Sequence, residues 1–209
     1  MTARPRAAVG ARGSAAPRAA VLVAAVLAAS AIGHAGAGAG RGVTALVTVA
    51  DGRAAVATGF AVSPGRVVTV AHALSAPTVM VRGGDGVARR ATVVRRDDTL
   101  DLALLAVPGI RPAAALAAPG TRMLVRRDGA VAAVSVQILR RIDATVRTAG
   151  ERGVVRRPAL ELAATLAPGD SGAPVVSDGR VAGIVFAGSR RRAGVAYAID
   201  AAALARLTR

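Results

Sequence analysis

Pro168-Gly169-Asp170-Ser171-Gly172-Ala173-Pro174 is the stretch from which the rest of this chain is read. A serine between Gly-Asp and Gly, followed by apolar residues, suits a nucleophile held in a tight turn. Glycine reaches backbone angles that leave neighbouring N–H groups facing outward. Alone, Gly-Asp-Ser-Gly is also a common loop. Two other stretches change its meaning. Thr69-Val70-Ala71-His72-Ala73 ends an apolar strand, and Asp101-Leu102-Ala103-Leu104-Leu105 lies between the two. His, then Asp, then Ser is one of the chain orders in which a nucleophilic triad recurs.

The residue types fit that chemistry one by one. Ser171 is a weak nucleophile unless a base lies within hydrogen-bond reach. Outside the N-terminal segment that contains His34, His72 is the chain's one histidine, and only an imidazole is suited to the task near neutral pH without perturbation. Asp101 sits between Leu100 and Leu102, a setting that buries a carboxylate, which then needs a partner such as the His72 N–H. Asp97 and Asp98 are its rivals, and a solvated turn is their simpler reading. Asp170 is not the triad acid.

At these three motifs, from roughly Thr44 to Ala203, the chain resembles the trypsin/chymotrypsin-like serine proteases, especially compact bacterial members without disulfides. The resemblance implies an all-β fold of two six-stranded-type antiparallel β-barrels, chymotrypsin-like, with a short C-terminal helix. It implies a serine-type endopeptidase acting on polypeptide substrates through His72, Asp101 and Ser171, without metal or cofactor. The oxyanion hole would be the backbone N–H groups of Gly169 and Ser171. Asp170 would shape that turn, in some members through an ion pair with a new N-terminus. The substrate pocket would have Thr165 at its base, Leu166 and Ala167 beside it, Phe186, Ala187 and Gly188 as one wall, and Gly194 on the other side. No acid stands at that base, so a small or medium apolar residue is expected there rather than Arg or Lys. The run Gly183–Gly188 would pair with the substrate backbone as an added strand. The chain departs from the family at Ala173, where a second Gly is usual. It departs again at Phe186, where a Ser hydroxyl often supports the triad Asp.

Short Val-rich runs punctuated by Gly, Pro and Asp continue from Val43 to Ile199, the pattern of an all-β barrel or sandwich. Val62-Ser63-Pro64-Gly65-Arg66-Val67 echoes Val176-Ser177-Asp178-Gly179-Arg180-Val181, each reading as strand, two-residue turn, strand. One leads to His72 and the other follows Ser171. The expected organisation is an N-terminal barrel over about 41–108, a linker over 109–120, a C-terminal barrel over about 121–200, and a terminal helix from Ala201. With nine residues after Asp200, no appended peptide-binding domain is expected.

The 209 residues carry 28 basic and 12 acidic side chains, a formal charge of +16, and every basic residue is Arg. Such a balance favours anionic partners. Coding bias in an Ala-, Val-, Gly- and Arg-rich chain explains it more simply, and no nucleic acid is expected. Phe60, Phe186 and Tyr197 are the only aromatics to stack on bases. The arginines from Arg140 to Arg157 read as a solvated hairpin, with an exosite as the sharper alternative. Without Cys the fold rests on packing alone, and a structural zinc site is excluded in practice.

Residues 1–40 read as a signal peptide or N-terminal anchor. Four Arg precede an apolar run from Ala19 to Ile32, and small residues follow to Gly40. Cleavage after Ala35, Ala37 or Ala39 fits the export pattern. The apolar run is shorter than the roughly 20 residues that span a bilayer, so export is preferred to a tether through residues 19–39. The protein is therefore expected to be secreted or extracytoplasmic, in the cell envelope of a bacterium. The alternatives to a protease are a catalytically weak or inactive binding or regulatory module on the same scaffold, and an envelope protein that binds anionic polymers.

Overall fold

The computed structural model describes residues 27–28, 46–52, 54–112, 120–127, 129–147 and 153–208. Most of the expected signal or anchor segment and most of the expected linker lie outside these residues. The exception within 1–40 is a two-residue strand, β1 (Leu27–Ala28), which pairs with β10 (Gln137–Arg147). No helix among the described residues is long and apolar enough to cross a membrane.

The first sheet is a closed antiparallel barrel. Its strands are β2 (Leu46–Asp51), β3 (Ala54–Ser63), β4 (Arg66–Val70), β5 (Thr78–Arg82), β6 (Ala88–Asp97) and β7 (Leu102–Ala106), in the order β2-β3-β4-β7-β6-β5. Valine and leucine suit a pleated surface that is buried on one side. In β5, Val79 and Val81 are buried while Met80 and Arg82 face out, the period of two that turns alternate side chains inward. Val47, Val49, Phe60, Val68, Val70, Leu102 and Leu105 are buried within the larger core.

The second sheet contains β8 (Arg122–Arg127), β9 (Ala130–Ser135), β10, β11 (Val154–Ala163), β12 (Pro174–Ser177), β13 (Arg180–Gly188) and β14 (Val195–Asp200). Together with β1 they run in the order β1-β10-β11-β14-β13-β12-β8-β9. Among the described residues, the expected second six-stranded barrel is an eight-stranded sheet whose ladder is not closed by strand pairing. It still curls, because β9 passes into β10 through Val136 alone, whose N–H donates to the Thr121 carbonyl. Met123, Val125, Leu160, Leu162, Val175 and Val185 fill the space it encloses. The expected terminal helix is a 3₁₀ turn (Ala201–Ala203) followed by α1 (Leu204–Thr208), with Leu204 and Leu207 buried. Asp200 caps it by accepting from the Ala202 N–H at 3.0 Å.

The two echoing segments are both tight hairpins. Ser63 pairs with Arg66 around Pro64-Gly65, and Ser177 pairs with Arg180 around Asp178-Gly179. Asp178 and Gly179 both have positive φ, as the twist of a two-residue hairpin demands.

The sheets meet at Thr58 of β3. Its N–H donates to the Ser171 carbonyl at 2.8 Å, and its hydroxyl donates to the Gly169 carbonyl at 2.8 Å. Its own carbonyl accepts from the Thr69 hydroxyl at 2.8 Å. Gly172 lies directly against this group. A Cβ at Gly172 would stand 2.0 Å from the Thr58 carbonyl oxygen and 2.7 Å from Thr69 Oγ1, and its φ is +86°. Gly172→Ala is therefore expected to cost about 3 kcal/mol or more, combining overpacking with a disallowed backbone conformation. Chemical denaturation checks this, and an unchanged midpoint would show that the two sheets are not in contact at Gly172.

Candidate active site

β4 ends at Val70, and the chain turns at Ala71 and His72 over the start of β7. Asp101 lies just before β7 with φ of +61°, in the left-handed region that Asp tolerates better than β-branched residues. That conformation sets the whole residue against residues 71 and 72. The Asp101 carbonyl accepts from the Ala71 N–H at 3.1 Å. Asp101 Oδ1 accepts from the His72 backbone N–H at 2.8 Å, and Oδ2 accepts from His72 Nδ1 at 2.8 Å. With the Nδ1 proton engaged, Nε2 is the imidazole's acceptor. Asp101 is buried, and the His72 side chain retains 28% exposure. Asp97 and Asp98 do what solvated turn residues do. Asp97 accepts from the Leu100 N–H at 2.9 Å, and Asp98 pairs with Arg96 at 2.7 Å.

Ser171 lies in the turn docked on Thr58, and hydrogen bonds fix that turn on both sides of the serine. The Asp170 N–H donates to the Ala167 carbonyl at 3.1 Å, the Ala173 N–H to the Asp170 carbonyl at 3.0 Å, and the Gly172 N–H to the Val185 carbonyl at 2.7 Å. Gly169 has φ of +91°. Among the described residues, the N–H groups of Gly169 and Ser171 donate to no protein acceptor, so two donors flank one that is engaged. Because the Asp170 carbonyl faces Ala173, the trans peptide turns the Ser171 N–H the opposite way. Among the described residues no hydrogen bond joins Ser171 to His72; such bonds are often long before substrate binds. Ala173 is buried and is absent from the positive-φ residues, so the family's second Gly is not required there.

Asp170 is wholly buried and is met by Arg127 at the end of β8, with Nε 3.1 Å from Oδ1 and Nη2 2.5 Å from Oδ2. The carboxylate also accepts from the Ala167 N–H at 2.7 Å. The hydrogen bond to Asp170 raises the Arg127 pKa above its usual value. The turn is thus braced by a cation from the same chain.

Arg157 is the functional candidate that sequence reasoning missed. The expectation of a solvated Arg140–Arg157 hairpin fails at this position: Arg157 is 2% exposed. It lies on β11 with its guanidinium 5.4 Å from the Phe186 ring centroid and its Nη1 3.2 Å from Asp101 Oδ2. Burial pushes the Arg157 pKa down, opposed first by Asp101 and then by Asp97 and Asp98. The strand period offered a signal, since Arg157, Ala159 and Glu161 are alternate residues that are all buried. Glu161 is likewise neutralised, by Arg140 and Arg192, each at 2.9 Å.

The residues of the expected pocket are placed unequally. Thr165 and Gly188 are exposed, and Ala187 is half-buried. Phe186 is buried, packed on Tyr197 at 6.4 Å between ring centroids, and so lies beneath the surface rather than forming an open wall. Gly188 faces Leu166, whose Cδ1 would stand 3.9 Å from an added Cβ. Strand β12 pairs with β13 as far as Ile184, and among the described residues the edge beyond Val185 has no strand partner on that side. A cavity of about 610 Å³ has Pro168 and Gly169 in its walls, with Thr48, Ala57, Arg126 and Arg127.

The chain is similar to known proteins in sequence and in fold. The trypsin-like peptidase domain profile matches residues 57–184. The chain is 33% identical over 159 residues to serine protease MT3772 of Mycobacterium tuberculosis (strain CDC 1551 / Oshkosh), covering 71% of this chain and 40% of that protein. The chain thus spans about two fifths of the length of that relative. The active form of the Rv3671c protease from M. tuberculosis superposes with a TM-score of 0.68 at 28% identity, covering 78% of each chain. Its inactive form gives 0.64 at 28% identity, covering 78% of this chain and 86% of that one. The MamO protease domain from Magnetospirillum magneticum shares the fold, with a TM-score of 0.59 at 21% identity over 77% of this chain and 94% of that one. On the extent of the domain match and the identity to a curated serine protease, the chain belongs to the trypsin-like peptidase family.

Proposed function

We propose that this protein is an extracytoplasmic serine endopeptidase that hydrolyses polypeptides through His72, Asp101 and Ser171. The observation that carries the reading is the doubly bonded Asp101–His72 pair beside a Ser171 turn with two uncommitted N–H groups. His72 Nε2 takes the proton of Ser171 as its oxygen attacks the scissile carbonyl, and Asp101 orients the ring and stabilises the imidazolium. The Gly169 and Ser171 N–H groups receive the negative oxygen of the tetrahedral intermediate. His72 then returns the proton to the leaving amine, and water repeats the sequence on the acyl-enzyme. Substrate pairs with the open edge at Phe186–Gly188.

Because Arg127 braces Asp170, the turn needs no newly freed N-terminus. The full chain should therefore react with a fluorophosphonate and carry one adduct, on Ser171, by mass spectrometry. Ser171→Ala should carry none and His72→Ala almost none. A folded parent chain without an adduct would favour the binding-module alternative.

A small or medium apolar residue is expected on the N-terminal side of the scissile bond. The supporting observation is that Glu161, a buried acid paired with Tyr197 across neighbouring strands, is already neutralised by two arginines. A peptide-library cleavage profile dominated by Arg or Lys at that position would overturn this preference.

Export rests on the basic, apolar and small-residue segments of residues 1–40. The N-terminus of the protein recovered from its native host should begin at Gly36, Gly38 or Gly40. Recovery of the chain with Met1 or Thr2 first would instead favour an uncleaved segment.

A further inference from the structure

Asp101 is approached from both sheets. His72, after β4, engages both of its oxygens, and Arg157 of β11 reaches Oδ2 from the opposite sheet at 3.2 Å. The remaining polar contacts of the guanidinium are weak. Its Nη1 lies 3.4 Å from the Leu100 carbonyl and its Nη2 lies 3.5 Å from that of Asp98, both long for hydrogen bonds. Its Nε is buried without a partner among the described residues. An apolar side chain of similar volume would fill this space without the desolvation cost of a charge. At this place only a cation supplies the pairing with Asp101, and with it the contact over the Phe186 ring.

We propose that Arg157 is a positioning residue of the triad, holding the Asp101 carboxylate oriented toward His72 from its seat over the Phe186 ring in the second sheet. The inference rests on the reading of His72, Asp101 and Ser171 as catalytic. Without the cation, the carboxylate keeps the His72 backbone N–H and ring as its side-chain partners among the described residues. The other charges near this group are Asp97 and Asp98 at the end of β6, and Arg96, which pairs with Asp98. Removing Arg157 loosens the Asp101 carboxylate against His72 Nδ1, and the reaction at Ser171 slows.

The test is the rate of Ser171 labelling by a fluorophosphonate as a function of pH, with thermal melting as the check on folding. In Arg157→Met the plateau rate should fall by about 10- to 100-fold as the carboxylate loses its orientation. Arg157→Lys keeps the cation, so its plateau should fall less. If Arg157→Met does not fold, Arg157→Gln takes its place as the neutral variant. A neutral variant with the parent's plateau rate would overturn the proposal, as would Lys and neutral variants that fall alike. A parent chain with no Ser171 adduct would overturn the triad reading itself, and the role of Arg157 with it.

Discussion

A buried carboxylate must be paired, and Asp101 is buried where the two sheets meet. Its left-handed backbone turns one residue into an acceptor for the Ala71 N–H, the His72 N–H and the His72 ring together. The strain of that conformation, of order ~1–3 kcal/mol, persists only because these partners over-determine it. The Arg157 cation reaches the same carboxylate from β11. The pairing of one acid therefore ties the end of β4, the start of β7 and the second sheet to a common point.

The Ser171 turn solves a related problem with backbone groups. Thr58 fixes two of its carbonyls, Val185 fixes the Gly172 N–H, and Arg127 neutralises the acid within it. Among the described residues the Gly169 and Ser171 N–H groups donate to no acceptor, while the groups around them are already engaged, as the proposed oxyanion role requires. Preorganised donors of this kind need no rearrangement when negative charge develops, which is the main way such sites lower a barrier. Arg127 lies near the turn in space although it is 43 positions away in the chain.

Local residues made much of this legible. Pro64-Gly65 and Asp178-Gly179 marked two hairpins, because Pro presets the first turn angle and Gly takes positive φ at the second, while Asp178 and Gly179 both take positive φ. Asp101 was separable from Asp97 and Asp98 because it alone opens the Asp-Leu-Ala-Leu-Leu pattern of the family the chain resembles; its apolar neighbours pointed to burial, and the structure buries it while leaving the other two in a turn. Arg157 was not separable from Arg156. An Arg within an Arg-rich run reads as solvated, and only the opposing sheet brings an acid within reach of the inward-facing one. Phe186 was legible as a strand residue beside the expected pocket, but its burial against Tyr197 and Arg157 depends on three strands packing together.

The sequence by itself determined the strand-rich character of the chain, its hairpins, the terminal helix and the order of His72, Asp101 and Ser171. These follow from backbone preference and from side chains read one at a time. The tertiary structure alone decided that the first sheet closes while the second curls without closing, that Arg127 is the counter-ion of Asp170, and that Arg157 meets Asp101 from across the molecule. Those outcomes depend on desolvation and charge pairing between residues far apart in the chain, and the energy of a buried pair exists only once both partners have been removed from water.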